Sequence, residues 1–203
     1  MISSGRKPGK PKPAAREGLQ IYRVRPDVNK FQYFMLDDEN LELSEMMTFD
    51  GTPKAQMWSA PAVHIHEPKL KKGAFHALWG TEALVVDNDA FVQIADLLEM
   101  SGEILDLPHK GKPFYVANVT ACFNVLDLGN TQWMYEKGRL PIRKYAFHAT
   151  RLEEVPLFRI PESCRSEILT VEGMKDPDDE FKGRVERLGL KGLLFEQIWT
   201  DEK

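Results

Sequence analysis

Residues 84–100 read LVVDNDAFVQIADLLEM, and their reading decides the fold class. Leu84-Val85-Val86 is a short apolar run rich in β-branched side chains, the kind that packs well on a pleated, buried surface. Asp87 follows where a helix N-cap belongs, because its carboxylate can accept from a free amide of the first turn. Asp89 adds negative charge at the positive end of the helix dipole. Phe91, Ile94, Ala95 and Leu98 then recur at helical spacing, which turns Gln93, Asp96 and Glu99 outward. Ser101-Gly102 stops the helix. One strand thus feeds directly into one amphipathic helix.

The flanking sequence reads mostly as strands. EILDLP (103–108) is extended. KPFYVANVTACFNVLDL (112–128) alternates, with Phe114, Val116, Asn118 and Thr120 on one side and Tyr115, Ala117, Val119 and Ala121 on the other. LQIYRVRP (19–26) alternates too, and Pro26 closes it as expected of a strand near an edge. KFQYFMLDD (30–38), RKYAFHATRL (143–152) and LFRI (157–160) are further extended candidates. Residues 39–53 carry Leu41, Leu43, Met46, Met47 and Phe49 without a clean period, so they read as a helical turn or coil that still supplies apolar groups. SEILTVEGM (166–174) leads through KDPDDE into a helix with Phe181, Val185 and Leu188 on one face. Gly189 is placed for a left-handed cap, and KGLLFEQIW (191–199) returns as a strand. The expectation is an α+β fold: mixed, largely antiparallel sheets with a few helices packed on one face. Residues 1–18 read as a disordered basic, Pro/Gly-rich tail, and 19–203 as the folded domain, with sub-domains meeting near residue 110.

Composition narrows the function classes. The chain has 203 residues, 42% hydrophobic and 29% charged, as in ordinary globular proteins. No apolar run approaches the roughly 20 residues that span a bilayer, and the basic, polar N-terminus does not read as a secretory signal, so the expected address is the cytoplasm. Cys122 and Cys164 are too few for a disulfide framework and are expected to be buried thiols. The net charge is −4. Five basic residues (Arg6, Lys7, Lys10, Lys12, Arg16) crowd the first sixteen positions, and without them 22 basic residues face 31 acidic ones. Between Gly73 and His109 lie seven acids (Glu82, Asp87, Asp89, Asp96, Glu99, Glu103, Asp106) and no Lys or Arg. Such a stretch repels nucleic acid and membrane phosphates and attracts a basic protein.

Catalytic signatures are weak. VHIHE (63–67) puts His64 and His66 on one face of a strand and Glu67 on the other, without the third ligand a catalytic zinc site needs. No phosphate loop, dinucleotide fingerprint or Gly-x-Ser-x-Gly elbow is present. A Cys122 or Cys164 nucleophile served by His148 has nothing in the sequence to require it. The reading is of a protein without catalytic, cofactor-binding or metal-binding residues, the alternatives being a metal-dependent enzyme at His64/His66 and a self-associating structural protein. Trp58, Trp79 and Trp133 stand beside turn-forming residues, where an aromatic anchor near acids suits a basic partner. Together with Asp96, Glu99 and Glu103 they are the candidate protein-binding residues, while Trp199 ends an apolar strand and reads as core.

The last fifty residues carry a resemblance. PLFRIPESCRSEILTVEGM (156–174) and LGLKGLLFEQIW (188–199), separated by a short helix, resemble the closing segment of the immunity protein 11 family of bacterial immunity proteins, whose namesake is myxobacterial. Phe158-Arg159, Gly189, Gly192 and Phe195 occupy the motif positions, and Tyr115, Asn118, Val119, Leu126 and Asp127 match a second motif. Asp87 stands where that family usually has serine; both are good N-caps. The likeness covers roughly residues 19 to 199 and rests on structural glycines and apolar positions. It implies a cytoplasmic protein that binds and neutralises a cognate toxin, with no catalytic residues to carry over; the acidic stretch adds the expectation of a basic toxin, and the chain is expected to act without a cofactor as a monomer or homodimer.

Overall fold

The computed structural model describes residues 18–38, 44–135 and 141–202; the expected tail at 1–18, apart from Gly18, lies outside the described residues, as do Leu41 and Leu43. The chain runs β1 (Gln20–Pro26), β2 (Tyr33–Leu36), β3 (Val63–His66), β4 (Phe75–Ala77), β5 (Leu84–Asp87), α1 (Asn88–Glu99), β6 (Gly102–Asp106), β7 (Phe114–Val119), β8 (Gln132–Trp133), β9 (Ile142–Lys144), β10 (Ile168–Glu172), α2 (Phe181–Arg187) and β11 (Leu193–Thr200). The strands form a four-stranded sheet in the order β4-β5-β7-β6, a three-stranded sheet β10-β1-β11, and the pairs β2-β3 and β8-β9. Every pairing in these sheets is antiparallel. The architecture is α+β, with helices packed against antiparallel sheets.

The four-stranded sheet is buried on both faces because its two central strands alternate between two cores. Leu84, Val86, Ala117 and Val119 point toward α1, which buries Ala90, Ile94, Leu97 and Leu98, and toward Phe181 and Val185 of α2. Val85, Val116 and Leu105 point the other way, onto Phe34, Leu36 and Val63 of the β2–β3 pair and onto Met47 and Phe49. The alternation expected for residues 114–119 is therefore present. The side chain of Asp87 accepts from the Ala90 amide at 2.8 Å, which caps α1 as its position demands. The turn near residue 110 joins β6 to β7 within this sheet.

β1 corrects an expectation. It is the central strand of its sheet, with β10 on one side and β11 on the other. Pro26 is tolerated because it is the last residue of β1; the next ladder bond is made by the Asp27 amide, 2.8 Å from the Gly192 carbonyl. Strand alternation sends Ile21 into a third core with Leu169, Phe158 and Phe147 and Val24, on the other face, into the first, while a register shift between Ile21 and Tyr22 leaves Ile198 of β11 as the extra residue. LFRI is not a strand; Phe158 and Arg159 make isolated bridges to Leu169 and Cys122.

The two larger sheets meet at Gly192. The Ala74 and Phe75 amides both reach the Lys191 carbonyl, at 2.8 and 3.0 Å. Gly192 has φ +117°, and a Cβ there would stand 2.2 Å from the Phe75 carbonyl oxygen, so this crossing requires glycine. Gly189 closes α2 at φ +66°, as its position predicts. Between β10 and α2, Glu180 is buried and accepts from the amides of Gly173, Met174 and Lys175, which fixes the loop that launches α2.

Arg159 is the largest fully buried side chain among the described residues. Its Nε donates to the Val119 carbonyl at 2.9 Å, one terminal nitrogen to the Glu82 carbonyl at 2.8 Å, and the other to the Arg165 carbonyl. One guanidinium thereby ties the end of β7, the turn before β5 and the 161–165 turn together. Burial pulls its pKa down to about 10, with Glu82 and Asp50 opposing, so it remains a cation at neutral pH.

Candidate functional site

The β2–β3 pair carries the most distinctive exposed surface. Its register sets Tyr33 opposite His66 and Met35 opposite His64. The Tyr33 ring lies 5.2 Å from that of His66 and 5.1 Å from Trp79, stacked on the latter at 30°. Trp79 reaches this stack because its amide donates to the Phe34 carbonyl at 2.8 Å, which docks the turn after β4 onto β2. Trp79 nevertheless stays 46% exposed. Three rings, from three separate segments, thus form an aromatic ledge held in place before any partner arrives. Tyr33 was not singled out by the sequence; the alternation of its own strand was the only signal that it shares a face with Met35 and its cross-strand partner His64.

VHIHE brings no third ligand to its two histidines among the described residues. His64 Nδ1 lies 2.7 Å from the Asp37 carboxylate on the surface, and His66 is occupied by the stack. The strand ends at His66, and Glu67 turns into the left-handed region at φ +51°. Its carboxylate comes 3.8 Å from His66 Nε2, so the expected opposition of Glu67 to the two histidines does not hold. Among the described residues no group of three or more His, Cys, Asp and Glu side chains is placed to hold a metal ion.

The run of acids between Gly73 and His109 does not form one face. Asp96 is exposed on α1 but makes a two-pronged ion pair with Arg184 of α2 at 2.7 and 2.8 Å. Glu103 accepts from the Lys54 amide at 2.6 Å, the Ala55 amide at 3.3 Å and the Asn118 side chain at 3.0 Å, so its carboxylate is spent on holding the 52–55 loop to β6 and β7. Glu82 lines a separate cleft with Arg23 and Arg25, where burial raises its pKa against the pull of Arg159. Asp87 caps α1. Glu99 remains outward as expected, beside the exposed apolar side chains Val92 and Met100. The reason is geometric: strand, cap and helix send consecutive acids in different directions, which their adjacency in sequence conceals.

The other tryptophans are less available than Trp79. Trp58 is half-buried, packs edge-on to Phe49 at 6.1 Å, and donates from its indole to the Asp106 carbonyl at 2.8 Å. Trp133 is half-buried against the third core, with Met134 and Tyr135 exposed after it. Trp199 packs edge-on to Phe147 at 5.7 Å, in keeping with a core role. Cys122 is half-buried and its thiol pKa is raised by burial, whereas Cys164 is exposed with φ +54°, contrary to the expectation of two buried thiols. His148 sits 3.9 Å from Asp127.

The residues that carry the resemblance are architectural. Phe158 and Phe195 pack in or against the cores, Arg159 ties three loops, Gly189 and Gly192 make turns, and Asn118 donates to the Thr52 carbonyl. No protein-family model matches the chain, and no curated protein matches it.

Proposed function

We propose that this chain is an immunity-type binding protein, acting in the cytoplasm, that neutralises a cognate bacterial toxin by covering the toxin's active or functional surface. The motif resemblance supports the class, and the Trp79–Tyr33–His66 ledge is the observation that carries the reading. A half-exposed indole already stacked on a tyrosine loses little side-chain freedom on binding, and this is the kind of residue that dominates interfaces. Glu99, with Val92 and Met100, is exposed on α1 across the four-stranded sheet from the ledge, so it lies outside that contact and adds only negative charge that attracts a basic toxin at a distance. Steering rests on Glu99 and the net charge rather than on all seven acids, since Asp96 and Glu103 have internal partners.

The test is binding of the purified chain to the product of the neighbouring toxin gene, measured by calorimetry, with rescue of cells that express that product. Trp79→Ala is expected to weaken binding by about 2 kcal/mol, roughly thirtyfold, with an unchanged melting temperature. Unchanged affinity in this variant removes the ledge from the interface. Absence of both binding and rescue rejects the immunity reading itself. Light scattering on the isolated chain decides between monomer and homodimer.

A further inference from the structure

Beneath the other face of the β2–β3 pair lies a cavity of about 500 Å³, a size typical of small-molecule sites. We infer that it binds a small planar acid that also carries a hydrogen-bond donor. Two buried histidines line it, His76 from β4 and His109 from the β6–β7 turn. Each imidazole is fixed through Nδ1 to a main-chain carbonyl: His76 to Gln32 and His109 to Val63, both at 2.9 Å. A carbonyl only accepts, so Nδ1 of His109 carries the proton and its Nε2 is the acceptor of the neutral ring, while the His76 ring also meets the Gly73 carbonyl. Phe34 packs edge-on against both rings at 5.4 Å, which locks their orientation.

His109 is 7% exposed, and its Nε2 has no hydrogen-bond partner among the described residues. A buried acceptor left unpaired is costly, so a ligand N–H or O–H that reaches it gains more than the same bond in water offers. Ile65 and Phe114 give the cavity apolar walls for a flat body. Lys72, Lys110 and Lys112 line it as well, all exposed and none in an ion pair among the described residues. Of the polar groups from the start of α1, the Asp87 carboxylate accepts from the Ala90 amide and the Asn88 side-chain oxygen accepts from the Tyr115 hydroxyl. Asp87 and Asp89 thus stand against three lysines, and the remaining positive charge favours an anion.

The experiment follows the imidazole nitrogens of the full chain by NMR while adding 4-hydroxycinnamate, cinnamate or methyl 4-hydroxycinnamate. The first supplies ring, acid and donor; the second lacks the donor and the third lacks the charge. The expected result is a saturable change at His109 Nε2 with 4-hydroxycinnamate, and binding about tenfold weaker for each of the others, the worth of one well-placed polar contact. The double variant Lys110→Gln/Lys112→Gln should lower affinity for the acid but not for its ester. His109→Asn keeps a nitrogen for the Val63 carbonyl and removes the distal acceptor, so it should erase the preference for the hydroxyl. No saturable change with any probe up to about 10 mM, as when internal water alone serves Nε2, overturns the proposal. So does equal affinity for all three compounds.

Discussion

Arg159 and His109 are both buried and basic, yet the protein treats them oppositely. The guanidinium of Arg159 is fully enclosed, and all three of its nitrogens donate to main-chain carbonyls from separate segments. His109 is anchored through one nitrogen and leaves the other unpaired beside a cavity. A saturated polar group holds the fold together and has nothing left to offer a ligand. An unsaturated one, kept in place by a rigid aromatic surround, costs stability that a donor placed against it would recover. Sequence motifs mark the first kind here, and no motif marks the second.

The comparison predicts a graded series. Arg159→Met should be the most damaging change, costing about 3–5 kcal/mol in urea unfolding, because three buried carbonyls lose their donor at once. A loss below about 1 kcal/mol would mean that water replaces the guanidinium and that the knot is not the tie described. Asp87→Ala should cost about 1 kcal/mol through the lost N-cap, with α1 otherwise intact by circular dichroism.

His76 sharpens the other side. Burial lowers its pKa below the ordinary 6.5, outweighing the carbonyls of Gln32 and Gly73 and the charge of Asp87, while Lys72 and Lys112 line the same cavity. The unfolded chain therefore binds the extra proton first. Stability should hold above pH 6.5 and fall with pH between 6.5 and the lowered folded value. His76→Asn, which keeps a donor for the Gln32 carbonyl but cannot titrate, should flatten that part of the profile; an unaltered slope assigns the acid sensitivity elsewhere. The smallest effect is expected of His109→Phe. It gives up the Val63 bond but also removes the orphaned acceptor, so unfolding should move by less than about 1 kcal/mol. Steep destabilisation by this change would place His109 with Arg159 as a structural tie.

Local features were legible in the sequence, and long-range ones were not. Asp87 as a cap, the alternation from Phe114 to Val119 and the left-handed Gly189 each depend on neighbours within a few residues, and each is present. β1 looked like an edge because Pro26 carries no N–H, but β10 and β11, its two partners, come from the far end of the sequence. The seven acids looked like a face because they are contiguous, while Arg184 and the 52–55 loop, which engage two of them, are remote. The ledge needed the register of β2 against β3 and the docking of Trp79 on Phe34. His76 and His109 stand in unlike local settings and meet only because β4 and the β6–β7 turn share one sheet.

The placement of β1 also bears on how the chain reaches this state. The four-stranded sheet is assembled from consecutive segments between residues 75 and 119, with short loops to close, so it and α1 can form early. β1 has no neighbour to pair with until β10 and β11 have been made, and meanwhile Ile21 and Val24 have no finished core to enter. Refolding is therefore expected in two kinetic phases, the slower one reporting the sheet whose middle strand is synthesised first and paired last.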